Sequence, residues 1–342
     1  MRDDRSAVRK TRSLGAAGLI ALVALSCRSG TPNSSLPPNW SELHFDHGTT
    51  VQASALFRWD NASFAAFDAR TGRITLLRPD GQRVEVRPGP SLPADDHPVH
   101  GALLQDLFDR SLGGRIFWLD RDYSRIRVFD HEGEPLSDWR VPCQPWSFST
   151  LSDDEVVVHG TKCSTAAAGA YRFDWRGSPL AFEPSWMQPD SKTSELAAAF
   201  VVTTAGRRAD FMLFLPFVRV VEGPNVRILR ADDCSAVPSS VSQRFRDDDT
   251  RLGLPQPFGS GVTGKRDATP FFLHASGLSG GGISAVGNGN VVFSLQPDGR
   301  MDCWRFPVPE GQVVNGIEVI PQHVALLTTG RDDGDVRIWR NQ

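Results

Sequence analysis

Four six-residue segments of this 342-residue chain repeat one alternation of apolar and polar positions: RITLLR (73–78), RIRVFD (125–130), NVRILR (225–230) and DVRIWR (335–340). Each has Ile or Val second, an aliphatic residue fourth, and Thr or Arg between them. Period two places the apolar residues on one face of a strand and the polar ones on the other. Two looser copies fill the gaps, AYRFDWRG (170–177) and VVFSLQPDG (291–299), the second ending as RITLLRPDG (73–81) does. β-Branched and aromatic residues punctuated by Gly, Pro and Asp continue from residue 43 onward, without long helical periodicity, so the chain is predicted to be all-β.

Six copies over roughly 300 residues give a period of about 50, which suits a propeller blade of four short strands. With strands lettered a to d from axis to rim, the six-mers are predicted to be strand c. Turns at Gly81, Gly133, Gly177 and Gly299 then lead into strand d. Strand b is expected at 115–120, 155–160, 210–217 and 283–288, and strand d at 135–141, 179–184 and 301–306. The last copy is followed only by Asn341 and Gln342, which leaves its blade without a rim strand. Residues 41–47, SELHFDH, precede the first blade and are expected to supply that strand, covering a sheet edge that would otherwise be exposed. The fold predicted is a six-bladed β-propeller over residues 40–342, closed by its N-terminal strand.

The stretch RIFWLDRDYSRIRVFDHEGEPL (115–136) resembles the NHL-type blade of six-bladed β-propellers, and DVRIWR is similar to a WD-repeat strand. The Gly-His and Trp-Asp signals of the WD family do not recur elsewhere in the chain. In this topology the b–c and d–a connections share one face of the disc. Four cysteines follow the N-terminal region, and four permit three pairings. Cys143 at a d–a handover and Cys163 just past strand b of the same blade are expected to pair. Cys234, read as lying at a c–d turn, would then pair with Cys303 in a neighbouring rim strand.

The first residues, MRDDRSAVRKTR, hold five basic and two acidic side chains, and an apolar run of about 12 residues follows from Leu14 to Leu25. That run is too short to cross a bilayer, which takes roughly 20 residues, and reads as a secretory signal over residues 1–26. Ser26-Cys27 resembles the lipobox of bacterial lipoproteins, which implies lipidation of Cys27. Arg28 in the next position implies, by the same resemblance, the outer membrane of the cell envelope. Residues 27–39, polar and rich in Ser and Pro, read as a tether reaching at most about 40 Å. Without residues 1–26 the chain carries 32 basic and 38 acidic side chains. A basic footprint for nucleic acid is therefore absent.

Several motifs touch known chemistries. GSGVTGKR (259–266) nearly fits a phosphate-binding loop but has Arg266 where a hydroxyl is needed, and Pro270 follows where a helix should start. GLSGG (277–281) has the spacing of a nucleophile elbow without the helix that must follow. His97 and His100, in DDHPVH (95–100), are candidate divalent-metal ligands, and Asp247, Asp248 and Asp249 form a solvated charge run. Inner strands are expected within 51–57, 101–108, 146–151, 200–205, 270–275 and 314–320. Their ionisable members, Asp106, His274 and Glu318, are the candidate channel or metal residues. No cofactor is required by any motif, a divalent metal being the one possibility. The function expected is a non-catalytic binding or scaffold module for a protein or glycan partner, with the 238–268 insertion as a contact element. The alternative is an exported metal-dependent lyase or lactonase-like hydrolase acting at the axial channel.

Overall fold

The computed structural model describes residues 39–43, 51–79, 83–90, 107–121, 123–187, 194–204, 206–252, 270–278, 282–329 and 334–341. Six antiparallel sheets surround a central axis. The first strands among the described residues, β1 (Trp40–Leu43) and β2 (Val51–Gln52), form the rim of the last sheet. Blade 1 is β3 (Ala55–Arg58), β4 (Phe64–Asp68), β5 (Arg73–Arg78) and β6 (Arg83–Pro88). Blade 2 is β7 (Leu107–Arg110), β8 (Ile116–Asp120), β9 (Arg125–Phe129) and β10 (Pro135–Arg140). Blade 3 is β11 (Gln144–Thr150), β12 (Glu155–Thr161), β13 (Ala168–Asp174) and β14 (Pro179–Pro184). Blade 4 is β15 (Ala199–Thr204), β16 (Arg207–Met212), β17 (Phe217–Glu222) and β18 (Asn225–Arg230). Blade 5 is β19 (Phe272–Gly277), β20 (Ile283–Gly287), β21 (Val291–Leu295) and β22 (Met301–Arg305). Blade 6 is β23 (Val313–Ile320), β24 (His323–Thr329) and β25 (Gly334–Asn341), completed by β1 and β2.

The N-terminal strand closes the ring. Trp40 pairs with Asn341 and Leu43 with Ile338, and Val51 rejoins the same edge opposite Val336. Side chains reinforce the join: Arg337 donates to Glu42 at 2.9 Å, and Trp40 meets Phe306 edge-on with centroids 6.2 Å apart. Of the predicted segment 41–47, residues 44–47 lie outside the described residues.

The structure corrects blade 4. NVRILR forms the outermost strand, β18, and strand c is FVRVVE, β17. FVRVVE carries the same pattern, Val218 second and Val220 fourth with Arg219 between. The alternation encodes one apolar face, which adjoining strands share, and it does not encode distance from the axis. Cys234 consequently follows a rim strand, in the d–a connection to blade 5, rather than a c–d turn. Both disulfides form, Cys143–Cys163 and Cys234–Cys303, with Cα atoms 4.1 and 6.5 Å apart. The insertion after blade 4 opens with a helix, α1 (Ser239–Leu252), that docks onto the body through Phe245, 4.9 Å from Phe271 between centroids. Two inner strands also begin later than expected, β3 at Ala55 and β7 at Leu107.

Apolar clusters fill the spaces between neighbouring blades, with Trp118, Phe211, Phe293 and Trp339 fully buried. The recurring c–d glycine has a role in this packing. Gly177 of blade 3 has φ +91°, and a Cβ there would come within 2.3 Å of Trp139 Cγ on the rim strand of blade 2. Gly299 of blade 5, at φ +81°, lies equally close beneath Arg227 of β18, the rim strand of blade 4. At Gly177 only glycine supplies both the left-handed turn and the clearance that Trp139 needs.

Candidate functional site

A cavity of about 120 Å³ lies on the axis, lined by residues of all six inner strands. Arg58, Thr150 and Gly277 line it and are the last residues of β3, β11 and β19. It therefore sits toward the face that carries the a–b and c–d loops. His274 and Glu318 both line it, on adjacent strands β19 and β23. Asp106, His97 and His100 lie outside the described residues, as do Cys27 and residues 1–38. Among the described residues, no group of three His, Cys, Asp or Glu side chains is placed to hold a metal ion.

Most polar groups in the cavity wall link one inner strand to another. Ser147 donates to Ala199 O at 2.9 Å and accepts from Val201 N at 3.2 Å, joining blades 3 and 4. Asp109 accepts from both Thr150 N and Thr150 Oγ1 at 2.8 Å, joining blades 2 and 3. His274 Nδ1 lies 2.9 Å from Ile317 O, and Ser276 donates to Glu318 Oε2 at 2.6 Å, so two bonds tie blades 5 and 6. Arg58 donates to Gly277 O at 2.7 Å, crossing from blade 1 to blade 5.

Burial sets the charge states. It pushes the Glu318 carboxyl up to about 8; the Ser276 hydrogen bond and then Arg58 oppose that shift, and Asp109 adds to it. Burial lowers His274 to about 4, with the Arg121 charge acting in the same direction and the Ile317 bond opposing. At neutral pH Glu318 is thus an uncharged acid and His274 an uncharged imidazole.

Arg58 and Asp109 were not singled out from the sequence. The predicted inner segments ended at 57 and 108, one residue short of each. The signal that reaches them is the alternation itself, continued to the end of the strand.

The loop face around the cavity carries exposed apolar side chains. Leu112, in the a–b loop of blade 2, is 95% exposed, and Leu151, in the a–b loop of blade 3, is 42% exposed. The two loops are tied together: Gly113 N and Arg115 Nη1 both donate to Asp153. Beside them Arg115 and Arg176 lie 4.5 and 4.7 Å from the Trp175 ring centroid, and Arg110 lies 4.2 Å from that of Trp59.

No family model matches this chain, and no curated protein does. Solved structures do. The chain is similar to the WD40 repeats of RRP9, at 10% identity with a TM-score of 0.52, over 89% of this chain and 98% of that one. It is also similar to virginiamycin B lyase from Staphylococcus aureus, at 9% identity and a TM-score of 0.46, over 87% and 98%. The WD40 propeller domain of Doa1 gives 10% identity and a TM-score of 0.48, over 88% and 96%. At these identities the likeness shows the propeller fold alone.

Proposed function

We propose that this chain is an exported, lipid-anchored binding module whose a–b/c–d loop face, at blades 2 and 3, receives a protein partner. The observation that carries the reading is Leu112, almost wholly exposed on a loop that the Asp153 contacts hold in place. A leucine on a tied loop presents apolar area at a reduced loop-ordering cost on binding. Tryptophan and arginine, the residue types most enriched at binding hot spots, flank it as Trp175, Arg115 and Arg176. In this reading a diacylated Cys27 and the 27–39 tether hold the disc at the outer membrane.

A photo-crosslinking residue at position 112, expressed in cells, tests this. It is expected to give a discrete protein adduct that the same residue at Tyr123, on the opposite face, does not give. No adduct from 112, or the same adducts from both positions, would remove the partner face.

A further inference from the structure

The axial cavity has a polar asymmetry that the partner face does not explain. Its carboxyl and guanidinium groups come from three consecutive blades: Glu318 from blade 6, Arg58 from blade 1 and Asp109 from blade 2. The opposite half, from blades 3, 4 and 5, contributes the hydroxyls of Ser147, Ser149, Thr150, Thr203 and Ser276 and the His274 imidazole. One cation therefore stands between two acidic groups. Among the described residues Arg58 forms no ion pair, although its charge and that of Asp109 both act on Glu318. Its recorded bond, from Nη1 to Gly277 O, leaves the rest of the guanidinium fork for a second acceptor. Ser276 engages one of the two Glu318 oxygens.

We infer that this cavity is a binding site for a small zwitterion, a free amino acid with a short side chain. Its carboxylate would lie on Arg58 and its ammonium between Asp109 and Glu318. A carboxylate suits the planar fork of an arginine, and an ammonium needs acceptors on several sides, which two carboxyl groups and the facing hydroxyls supply. The volume suits this class: 120 Å³ takes several waters or one small polar molecule. The inference goes beyond the partner face and does not depend on it.

The arrangement gives the ligand a signature. Glu318 faces Arg58 on β3, Asp109 on β7, and Ser276 and His274 on β19. An ammonium arriving beside it favours the ionised carboxylate, so the proton on Glu318 leaves to solvent as the ligand binds.

Isothermal titration of the full-length protein tests the site, using glycine, L-alanine and L-serine as probes, with acetate, methylammonium, betaine and L-tryptophan as controls. At least one short amino acid is expected to bind, with acetate and methylammonium at least tenfold weaker and betaine and tryptophan silent. The observed heat at pH 7 should vary with the ionisation enthalpy of the buffer, reporting proton release. Arg58→Met should weaken binding at least tenfold, and Glu318→Gln should weaken it and abolish the buffer dependence. No heat from any short amino acid at millimolar concentration overturns the inference. So does acetate binding as tightly as glycine, or a buffer dependence that persists in Glu318→Gln. The wild-type panel decides the question even where a variant fails to fold.

Discussion

Arg58 Nη1 donates to Gly277 O at 2.7 Å, and this bond joins blade 1 to blade 5 across the inner strand of blade 6. All six blades touch their neighbours through the inner strands; Arg58 adds a tie between two blades that are not neighbours. A hydrogen bond from a charged donor contributes about 1.5–3 kcal/mol. Arg58→Met is expected to lower unfolding free energy by about 1–2 kcal/mol, allowing for the partial exposure of the side chain. Urea denaturation measures it; an unchanged midpoint would mean that the tie contributes nothing.

Gly177→Ala is expected to be more costly, about 2 kcal/mol or more, because φ is +91° and the new Cβ would overlap Trp139. Part of that cost belongs to Trp139. In a Trp139→Ala background the same change should cost less, and a double-mutant cycle reads the difference. Additivity would show that the loss is backbone strain alone.

Glu318 gives stability a pH dependence of known sign. Its folded-state value, about 8, lies above the ordinary 4.5, chiefly through burial. Between those two pH values the unfolded chain holds fewer protons than the folded one. Stability from this group therefore falls as pH rises, by up to about 1.4 kcal/mol per unit, and levels off above 8. Unfolding free energies of the wild type and Glu318→Gln at pH 5, 6.5 and 8 should diverge accordingly; parallel profiles would contradict the buried neutral acid.

Two histidines act in the opposite direction. Burial lowers His159 to about 3, helped by the Arg208 charge, and lowers His274 to about 4. Each contribution is intact above the ordinary value of 6.5 and is lost as pH falls toward 3–4. His159→Gln should flatten the acid limb of the stability profile, measured by thermal unfolding between pH 4 and 7. An acid limb as steep as that of the wild type would rule out His159 as a contributor.

The Cys143–Cys163 and Cys234–Cys303 bonds close loops of 20 and 69 residues. On the loop-entropy estimate they contribute about 3 and about 4 kcal/mol. Non-reducing peptide mapping should find these two pairs, and a reductant should lower the melting temperature. Mixed pairings would break the placement of Cys234 beside the blade 5 rim.

Much of this fold was readable in the residues. PLAFEP runs from Pro179 to Pro184 in both the expectation and the structure, because its ends are marked by a Gly-Ser turn and by prolines. The closing strand was readable because residues 41–43, SEL, precede the first blade and belong to none of its four strands. NVRILR was misplaced because FVRVVE presents the same apolar face, and periodicity carries no information on strand order. Within the site, His274 and Glu318 stood out as ionisable residues inside apolar inner strands. Arg58 and Asp109 did not, since the expected inner segments ended at 57 and 108, one residue short of each. Leu112 and Leu151 were invisible for a different reason: an exposed apolar side chain in a loop belongs to no period, and only the Asp153 contacts show that its loop is held.

The partner face is tested most directly by affinity. The protein crosslinked at position 112, once purified, can be titrated against the wild type and against Leu112→Asp/Leu151→Asp. The partner face predicts at least tenfold weaker binding by the double variant with unchanged unfolding free energy. Equal affinity would contradict it.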